Sequence, residues 1–438
     1  MGYNSAVDGD TRESRRLLPA EPSSVPDARR TIRTWLTEAG FVDLVDEAEQ
    51  AVSEVVTNAL VHAGTSVELS ARIRTGFVRV EVADGSSHLP RTRDFDTVSG
   101  TGRGLKVLDQ TVTRWGAELR DDGKVVWFEL GGRTGADPVV PASTPAPEGE
   151  VVHVELFAVP LLLMSAWLEH AGALLRDCLL LDLEVAGGDV SQALQRHAVA
   201  SELLALVEEQ LPRLDLGTAP QELMDGATEP LVTAERVDLR IPTDQVDRFP
   251  VLDAALDRAR QLAVSGALLT PPTQPEMQEL RHWLTGEVAR QTAGGSPRPW
   301  LTSMSSRASL EVTGLPWDES AVAAATTPVV AVDDYDVIVA VSQPALDLLG
   351  HARGSLVGRR MLAIIPTRYR QAHLAGFTLH QVNGRSPLLG APVTVPVLCA
   401  DGAERLVELT ITAQPLPGGR TVFLGALRPV PQASWALP

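Results

Sequence analysis

The chain has 438 residues, a length that exceeds one hydrophobic core and predicts roughly two to four domains. Its 56 acidic residues outnumber its 38 basic residues, and the formal net charge of −18 argues against binding to nucleic acid or to an anionic membrane. Cys178 and Cys399 are far apart and have no neighbouring residues at metal-ligand spacing, so neither a disulfide framework nor a zinc site is predicted.

The apolar run at residues 151–168 is the segment most similar to a membrane span. It contains His153, Glu155 and Pro160, which are unfavourable in a bilayer, and residues 1–20 lack the apolar core of a signal peptide. The composition therefore predicts a cytoplasmic protein with no membrane segment.

Residues 1–28 mix proline, serine and charged residues without periodicity, and they are predicted to form a mobile tail. A helix is predicted over 48–60, where apolar residues recur at helical spacing. Strict alternation of apolar and polar residues then predicts two strands, 67–73 and 78–82, joined as an antiparallel hairpin. With a further strand at 125–130, these elements predict a layer of helices on a mainly antiparallel sheet.

Two polar residues stand beside the apolar stripe of the predicted helix. Glu54 and Asn58 are four residues apart, so both side chains project from the same flank and can contact one ligand. The carboxamide oxygen of Asn58 is a suitable Mg²⁺ ligand beside nucleotide phosphates, and Glu54 can accept a proton from an attacking hydroxyl or water. Taken alone, such a pair is more often the solvated edge of a helix.

Asp84 ends the predicted hairpin. Its carboxylate only accepts hydrogen bonds, which suits the exocyclic amine of adenine. Gly85 allows close approach of the backbone, and Ser86 can add a hydroxyl or water contact. These three residues are therefore candidates for contact with a nucleotide base.

A glycine-rich loop follows, before another short predicted helix. Alternating glycines at a helix start expose backbone N–H groups and a positive helix end to phosphate oxygens. By itself such a loop is usually only a turn. The candidate phosphate-binding residues are Gly100, Thr101, Gly102, Arg103, Gly104 and Leu105.

Four segments of this region recur in an order that is specific for one protein family. They are SEVVTNALVHAG at 53–64, VADGS at 82–86, GTGRGL at 100–105 and GKVVWF at 123–128. In this order they resemble the anti-sigma-factor Ser/Thr kinases found among actinobacterial ATP-binding regulators. Those kinases belong to the GHKL superfamily with gyrase and the histidine kinases.

The resemblance covers residues 29–133 and implies a GHKL-type α/β sandwich that binds Mg-ATP. It implies that Glu54 is the candidate catalytic base and that Asn58 is the protein ligand of Mg²⁺. The Asp84 segment and the glycine-rich loop would then surround the nucleotide.

The sequence departs from the family pattern at two points. The segment that begins at Asp84-Gly85 lacks the family's later glycine. Val125 and Val126 stand where a hydroxyl residue often helps to hold the adenine. Weaker nucleotide binding or an altered lid is therefore expected.

A proline-rich linker is predicted at residues 134–149, ahead of a middle region at residues 150–294. The middle region begins with a predicted strand over 151–157 and continues mainly as helices, of which 193–210 is among the clearest. It is similar to a helical region that follows such ATPase domains in actinobacterial regulators. A second linker, which contains a glycine and proline cluster, is predicted at 295–314.

The last domain, residues 315–430, consists of short predicted strands. Val329 to Asp333, the Leu348-Leu349-Gly350 turn and the Ala400-Asp401-Gly402 turn occur in an order that resembles a PAS sensor domain. The predicted strands are 329–332, 337–341, 406–413 and 422–427.

One stretch of this domain has the spacing of a haem site. Residues 368–373 match in spacing the haem-bearing PAS domains of oxygen sensors, whose proximal ligand would fall at His373. Haem-free PAS domains share the stretch, and Val393 stands where the oxygen sensors keep a polar arginine. A domain without haem is therefore the favoured interpretation.

The predicted fold class is α+β with several domains: a GHKL-type α/β sandwich, a mainly helical middle region and a PAS-like α+β domain. The predicted function is an ATP-binding signalling regulator, a Ser/Thr protein kinase of the anti-sigma type that phosphorylates an antagonist protein and is tuned by the PAS domain. The alternative is a non-catalytic, ATP-dependent protein-binding switch. Expected partners are antagonist or sigma-factor-like proteins, not nucleic acid or membranes, and the sequence leaves a homodimer open.

Overall fold

The computed structural model describes most of the chain, with gaps at both predicted linkers. The described residues are 6–8, 11–74, 76–86, 108, 111–120, 123–131, 150–184, 190–217, 219–301, 317–384, 386–416 and 420–430. They form an N-terminal domain, a middle region and a C-terminal domain.

The N-terminal domain places helices on one face of a six-stranded antiparallel sheet. Its described elements in chain order are β1 (Ala6–Asp8), β2 (Thr11–Leu18), α1 (Ser24–Glu38), α2 (Val45–Ala63), β3 (Val67–Arg74), β4 (Phe77–Asp84), β5 (Arg114–Arg120) and β6 (Gly123–Gly131). The strands lie side by side in the order β1-β2-β3-β4-β6-β5. The predicted hairpin is β3 and β4, and β6 lies beside β4.

Helix α2 is held against the sheet by the predicted apolar stripe. Ala48, Val52, Val55, Val56 and Ala59 are all buried. They share one hydrophobic core with the apolar side chains of β3, β4 and β6. The burial of this stripe fixes which flank of α2 remains accessible.

The prediction of a mobile tail over residues 1–28 is wrong for most of the described residues from 6 onwards, which form β1, β2 and the start of α1. Thr11–Leu18 form β2, which pairs with β3. The strand lacks alternating apolar residues, because its outward side chains form ion pairs, such as that of Arg15 with Glu68. Leu18 is buried in the core of the domain. The strand is stabilised by pairing with the edge of β3, and a local sequence pattern cannot show such pairing.

The middle region packs helices around a two-stranded antiparallel ribbon. Its described elements are β7 (Val151–Pro160), α3 (Leu161–Glu184), α4 (Val190–Gln210), α5 (Pro220–Gly226), β8 (Thr233–Pro242), α6 (Thr243–Val246), α7 (Phe249–Val264) and α8 (Pro275–Thr292). The predicted strand and helix correspond to β7 and α4. The sequence analysis missed β8, although Val237, Leu239 and Ile241 alternate there and are buried.

Glutamine side chains cover both edges of this ribbon. The carboxamide of Gln291 on α8 donates to the carbonyl of Glu155 at 2.8 Å and accepts from its N–H at 2.9 Å. Gln210 at the end of α4 makes the same two contacts with Arg240 on β8, at 3.1 and 2.7 Å. Each carboxamide therefore occupies backbone groups to which a foreign strand could otherwise pair.

The apolar run at 151–168 is divided between β7 and the start of α3. Helix α3 has 24 residues. Among the helices that the structure describes, none combines the length and the hydropathy needed to cross a membrane.

The C-terminal domain contains a five-stranded antiparallel sheet. Its described elements are α9 (Ser320–Ala323), β9 (Val329–Asp333), β10 (Ile338–Val341), α10 (Gln343–Leu349), α11 (Arg370–Asn383), β11 (Val393–Leu398), β12 (Glu404–Pro415) and β13 (Thr421–Pro429). The strands lie in the order β10-β9-β13-β12-β11. The four predicted strands are present, and β11 adds a fifth. With the other two regions, this domain confirms the predicted α+β, multidomain fold class.

The middle region and the C-terminal domain share one hydrophobic core. Leu374 and Ala375 of α11 lie in the same core as the apolar side chains of α3 and α8. Gln371 on α11 is buried, accepts from the N–H of Leu162 at 3.0 Å and donates to Glu229 at 2.6 Å. The middle region and the C-terminal domain are therefore separate in sequence but share one continuous hydrophobic core.

The start of the predicted linker at 295–314 belongs to the middle region. Trp300 is buried in the middle core, and its backbone N–H donates to the carbonyl of Phe157 at 2.9 Å. Its glycine and proline residues suggested a flexible linker, whereas the tryptophan that follows them anchors this segment to β7.

The N-terminal domain contacts the middle region through the end of α2. Gly64 ends this helix with a φ of +61°, and a Cβ at Gly64 would lie 2.7 Å from the Cβ of Ala198 on α4. Val61 packs against a small apolar cluster that includes Leu194 on α4 and Leu179 on α3. The two helices therefore approach closely because residue 64 has no side chain.

Two buried histidines should make the folded chain sensitive to acid. Burial lowers the pKa of His170 and of His197 to about 4, from the usual 6.5. The unfolded chain therefore binds these protons first, so the stabilising contribution is complete above about pH 6.5 and is lost progressively as the pH falls towards 4. Between pH 7.5 and pH 5, each ring should lower the free energy of unfolding by about 2 kcal/mol.

The double variant His170→Gln/His197→Asn should lose most of this pH dependence while keeping comparable donors towards the carbonyls of Pro271 and Leu175. Urea unfolding at both pH values measures it. His153→Gln, at an exposed position, is the matched control. A double variant with the wild-type pH slope would contradict the assignment.

Candidate functional site

Asp84 and Lys124 lie opposite each other at the ends of two neighbouring strands. Asp84 ends β4, Lys124 is the second residue of β6, and the strand register pairs them. Because side chains alternate along a strand, both lie on the same face as Val82 and Val126, which belong to the core under α2. The pair therefore lies at the rim of the space between the sheet and its helices.

The carboxylate of Asp84 is buried, and within the described part of the chain one of its oxygens has no partner. Oδ1 accepts from the N–H of Ser86 at 2.9 Å and lies 3.1 Å from Nζ of Lys124. Oδ2 is also buried and makes no hydrogen bond to any residue that the structure describes. A buried carboxylate oxygen without a donor is unfavourable, so this atom is suited to accept a hydrogen bond from a ligand.

The charge of Asp84 depends on its neighbours. Burial raises the pKa of Asp84 above its ordinary value, whereas Lys124 and the N–H of Ser86 act in the opposite direction. The side chains of Lys124 and Asp84 are 7% and 1% exposed, so solvent screens their attraction little.

Glycines allow the chain to pass close to this carboxylate. The N–H of Gly85 donates to Oγ1 of Thr65 at 3.0 Å, and a Cβ at Gly85 would lie 3.0 Å from the Thr65 methyl group. A Cβ at Gly123 would lie 1.9 Å from the carbonyl oxygen of Asp84, so no other residue fits at the start of β6. The Thr65 contact also joins the Asp84 segment to the turn that follows α2.

Glu54 and Asn58 lie one helical turn apart on α2, as the sequence predicts. Both are half-buried, while the adjacent Val55 and Ala59 are buried in the core. The two polar side chains therefore lie on the flank of the helix, at a depth where a partly dehydrated ligand could reach them. Their roles as base and as Mg²⁺ ligand stay predictions.

The phosphate end of the predicted site is not part of the described structure. Gly100 to Leu105 lie outside the described residues, as do their neighbours on both sides. Leu108, shortly after the loop, is buried in the core of the domain. The roles of the six loop residues stay predictions.

The described residues fit an adenine nucleotide at the base end. The exocyclic amine of adenine can donate a hydrogen bond to Oδ2 of Asp84, which receives none from the described residues. Residues 18–130 match the histidine kinase-like ATPase domain family. The N-terminal part of this chain belongs to that family. The matched residues, called the ATPase domain below, extend from the last residue of β2 into β6.

A curated relative is similar to part of this chain. An uncharacterized protein of Streptomyces coelicolor is 30% identical to this chain over 100 residues. The aligned part is 22% of this chain and 95% of that protein.

PAS domains are among the solved structures that are similar to this chain. The PAS domain of an HTR-like protein from Haloarcula marismortui is 19% identical and covers 26% of this chain and 88% of its own, with a TM-score of 0.20. The PAS domain of nitrogen regulation protein NR(II) from Vibrio parahaemolyticus is 17% identical and covers 27% of this chain and 100% of its own, with a TM-score of 0.19. These likenesses concern the fold only.

His373 contacts a carboxylate of its own domain. Its Nε2 lies 2.6 Å from Oδ1 of the buried Asp336, and its ring stacks on Phe377 at a centroid distance of 6.0 Å. Val393 is buried in the core of the same domain. Ligation of iron through Nε2 would have to displace the Asp336 contact, and the interpretation without haem stays a prediction.

A second group of ligand-type side chains lies in the middle region. Asp253, Asp257 and His282 converge there. Arg281 lies between the carboxylates, 3.0 Å from Asp253 and 2.5 Å from Asp257. Its guanidinium offsets one of the two negative charges and contacts carboxylate oxygens that a cation would need.

Lys124 and Thr65 were not predicted as site residues. A signal existed for Lys124, because it and Lys106 are the two lysines among 38 basic residues. Thr65 offered no signal, since its contact with Gly85 depends on how the turn after α2 lies against the end of β4.

Replacement of Asp84, the candidate base-binding residue, should weaken nucleotide binding. Asp84→Asn removes the charge and should lower the affinity for ATP and for ADP by about 10- to 100-fold, since a hydrogen bond to a charged group contributes roughly 1.5 to 3 kcal/mol. Isothermal titration calorimetry measures both affinities. Glu118→Gln, on the exposed side of β5, is the control. Equal affinities in the wild type and in Asp84→Asn would remove Asp84 from the site.

Proposed function

We propose that the chain is an ATP-dependent signalling regulator whose ATPase domain is a Ser/Thr protein kinase of the anti-sigma type. The observation that carries the proposal is the buried, unpartnered Oδ2 of Asp84 in a domain of the histidine kinase-like ATPase family. The substrate would be a hydroxyl group of an antagonist protein, and a sigma-factor-like protein would be the further partner.

The flank of α2 supports the kinase part of the proposal. Asn58 offers a neutral oxygen that can hold Mg²⁺ beside the phosphates, and Mg²⁺ supplies neutralisation of the developing phosphate charge when it is bound. Glu54 lies one turn earlier and can accept the proton of the attacking hydroxyl. Both side chains are half-buried, which leaves one side of each accessible to a substrate.

A continuous chain of packed helices supports tuning by the PAS-like domain. Helix α11 of that domain packs on α3, α3 packs on α4, and α4 packs on the end of α2. Helix α2 carries Glu54 and Asn58 and leads directly into Thr65, which contacts Gly85. A shift of α11 can therefore reach both the base end and the metal end of the site.

The second candidate function is a binding switch without phosphate transfer. It is favoured by the close contact of Gly64 with Ala198, because nucleotide binding that moves α2 would also move the middle region. In this case ATP would change which surface is presented to a partner protein, and Glu54 would have no chemical role.

Variants of Glu54 and Asn58 should separate binding from chemistry. Asn58→Ala should weaken Mg-ATP binding, because it removes a metal ligand. Glu54→Gln is nearly isosteric, so it should bind Mg-ATP normally and slow phosphate transfer by about 10²- to 10⁴-fold. The measurement is transfer of labelled phosphate from ATP to candidate antagonist proteins, with affinities from calorimetry.

The same assay distinguishes the two functions. Wild-type transfer that persists unchanged in Glu54→Gln would exclude Glu54 as the base. If the wild type transfers no phosphate to any antagonist but ATP changes its protease sensitivity, the switch is the function.

The contact between α2 and α4 should affect nucleotide affinity. Ala198→Leu adds bulk where a Cβ on Gly64 would already clash, so it should displace the end of α2 and change the affinity for ATP by about 3- to 30-fold. Arg196→Leu, on the exposed side of α4, is the matched control. If Ala198→Leu changes thermal stability but leaves ATP affinity at the wild-type value, the coupling through α4 is wrong.

A further inference from the structure

The ion pair of Asp84 and Lys124 is unusual because both charges are buried. Removal of two charges from water is costly, and replacement of such a pair by apolar residues is often neutral or stabilising. The two side chains lie at facing positions of β4 and β6, next to the apolar pair Val82 and Val126. An apolar pair at the strand ends would extend this core, so the charges call for a functional explanation.

The contacts divide the carboxylate into two different oxygens. Oδ1 is held by the Lys124 ammonium at 3.1 Å and by the N–H of Ser86 at 2.9 Å. Oδ2 is buried without a donor among the described residues. With one oxygen held from two directions, the orientation of the other oxygen is fixed by the protein before a ligand arrives.

We propose that Lys124 is a positioning residue that sets the base preference of this site: by occupying Oδ1 it presents Oδ2 as an acceptor for an exocyclic amine, so a 6-aminopurine nucleotide is taken and a 6-oxopurine nucleotide is rejected. The proposal rests on the nucleotide-binding function proposed above. It adds to that function the residue that makes Asp84 discriminate between bases.

The discrimination depends on the charge of the carboxylate. A carboxylate can only accept hydrogen bonds, whereas a protonated carboxyl can also donate one. Adenine offers an amine donor at position 6, and hypoxanthine offers an oxygen acceptor there. A charged Asp84 therefore favours adenine, and a protonated Asp84 would accommodate hypoxanthine.

Lys124 is the charged group that favours the accepting form of Asp84. Burial raises the pKa of Asp84, and of the charged side chains on the described elements around it, Lys124 on β6 is the one that lowers this pKa. The N–H of Ser86, on the segment that follows β4, is the second group with that effect. Without the ammonium, Asp84 would take up a proton at a higher pH.

The chemistry of lysine suits this task better than that of arginine. An ammonium is a compact point charge that can contact one oxygen and leave the other exposed to a ligand. A guanidinium would tend to bind both oxygens of the carboxylate through its two parallel N–H groups and would thereby occupy Oδ2. The presence of lysine here, in a chain whose 38 basic residues include two lysines, agrees with that requirement.

The test compares ADP with inosine diphosphate, which differs at position 6 of the base, on the full chain. Calorimetry from pH 6 to pH 8.5 should show that the wild type prefers ADP by at least about 10-fold throughout. Lys124→Met should reduce this preference to less than about 3-fold at pH 6, and its ADP affinity should rise with pH. Lys124→Arg should lower ADP affinity by about 10-fold at every pH, because the charge is kept and Oδ2 is occupied.

The outcomes separate this inference from the proposed function. If the wild type binds neither nucleotide, the proposed function fails and this inference fails with it. If the wild type binds ADP and Lys124→Met keeps the wild-type preference and pH profile, the inference alone is overturned. Arg72→Met, which removes an exposed cation from β3, is the control and should match the wild type. If Lys124→Met does not fold, as judged by circular dichroism, Lys124→Arg decides: unchanged ADP affinity in that variant overturns the inference.

Discussion

The packing of α2 is the constraint on which the candidate site depends, because this helix is buried against the sheet along one stripe and against α4 at its end. The stripe determines that Glu54 and Asn58 lie on an accessible flank. The end of the helix places Thr65 beside Gly85, next to Asp84, the candidate base-binding residue. A rotation or shift of α2 would therefore alter every described part of the site, and close packing leaves little room for small, continuous adjustments.

The same principle of dense packing joins the middle region to the PAS-like domain. Buried polar contacts also join the two regions. Arg360 donates to Glu276 at 2.5 Å and to Gln274 at 3.0 Å. Arg360 also lies 3.5 Å from Asp336, the residue that contacts His373. Loss of Arg360 would leave the buried carboxylate of Glu276 without its ionic partner, so this contact favours the observed fit of the two regions. A conformational change around His373 would therefore occur next to the interface between the middle region and the C-terminal domain.

Much of the ATPase domain could be predicted from local patterns. The apolar stripe of α2 and the alternation in β3 and β4 are properties of consecutive residues, and burial on one face imposes those periods. Strand β2 could not be recognised in this way, because its side chains form ion pairs on the open face of the sheet. Gln210 and Gln291 were equally unpredictable, since each contacts a strand far away in the chain.

The sequence by itself determined the helix with Glu54 and Asn58 and the position of Asp84 at a strand end, because periodicity and short motifs are local. The tertiary structure alone decided that Lys124 faces Asp84 and that α2 ends against Ala198. It also decided that Oδ2 of Asp84 has no donor among the residues that the structure describes. These features join residues that are separated by tens of positions in the chain. Their contacts depend on strand register and domain packing, and a pattern of neighbouring residues does not encode either one.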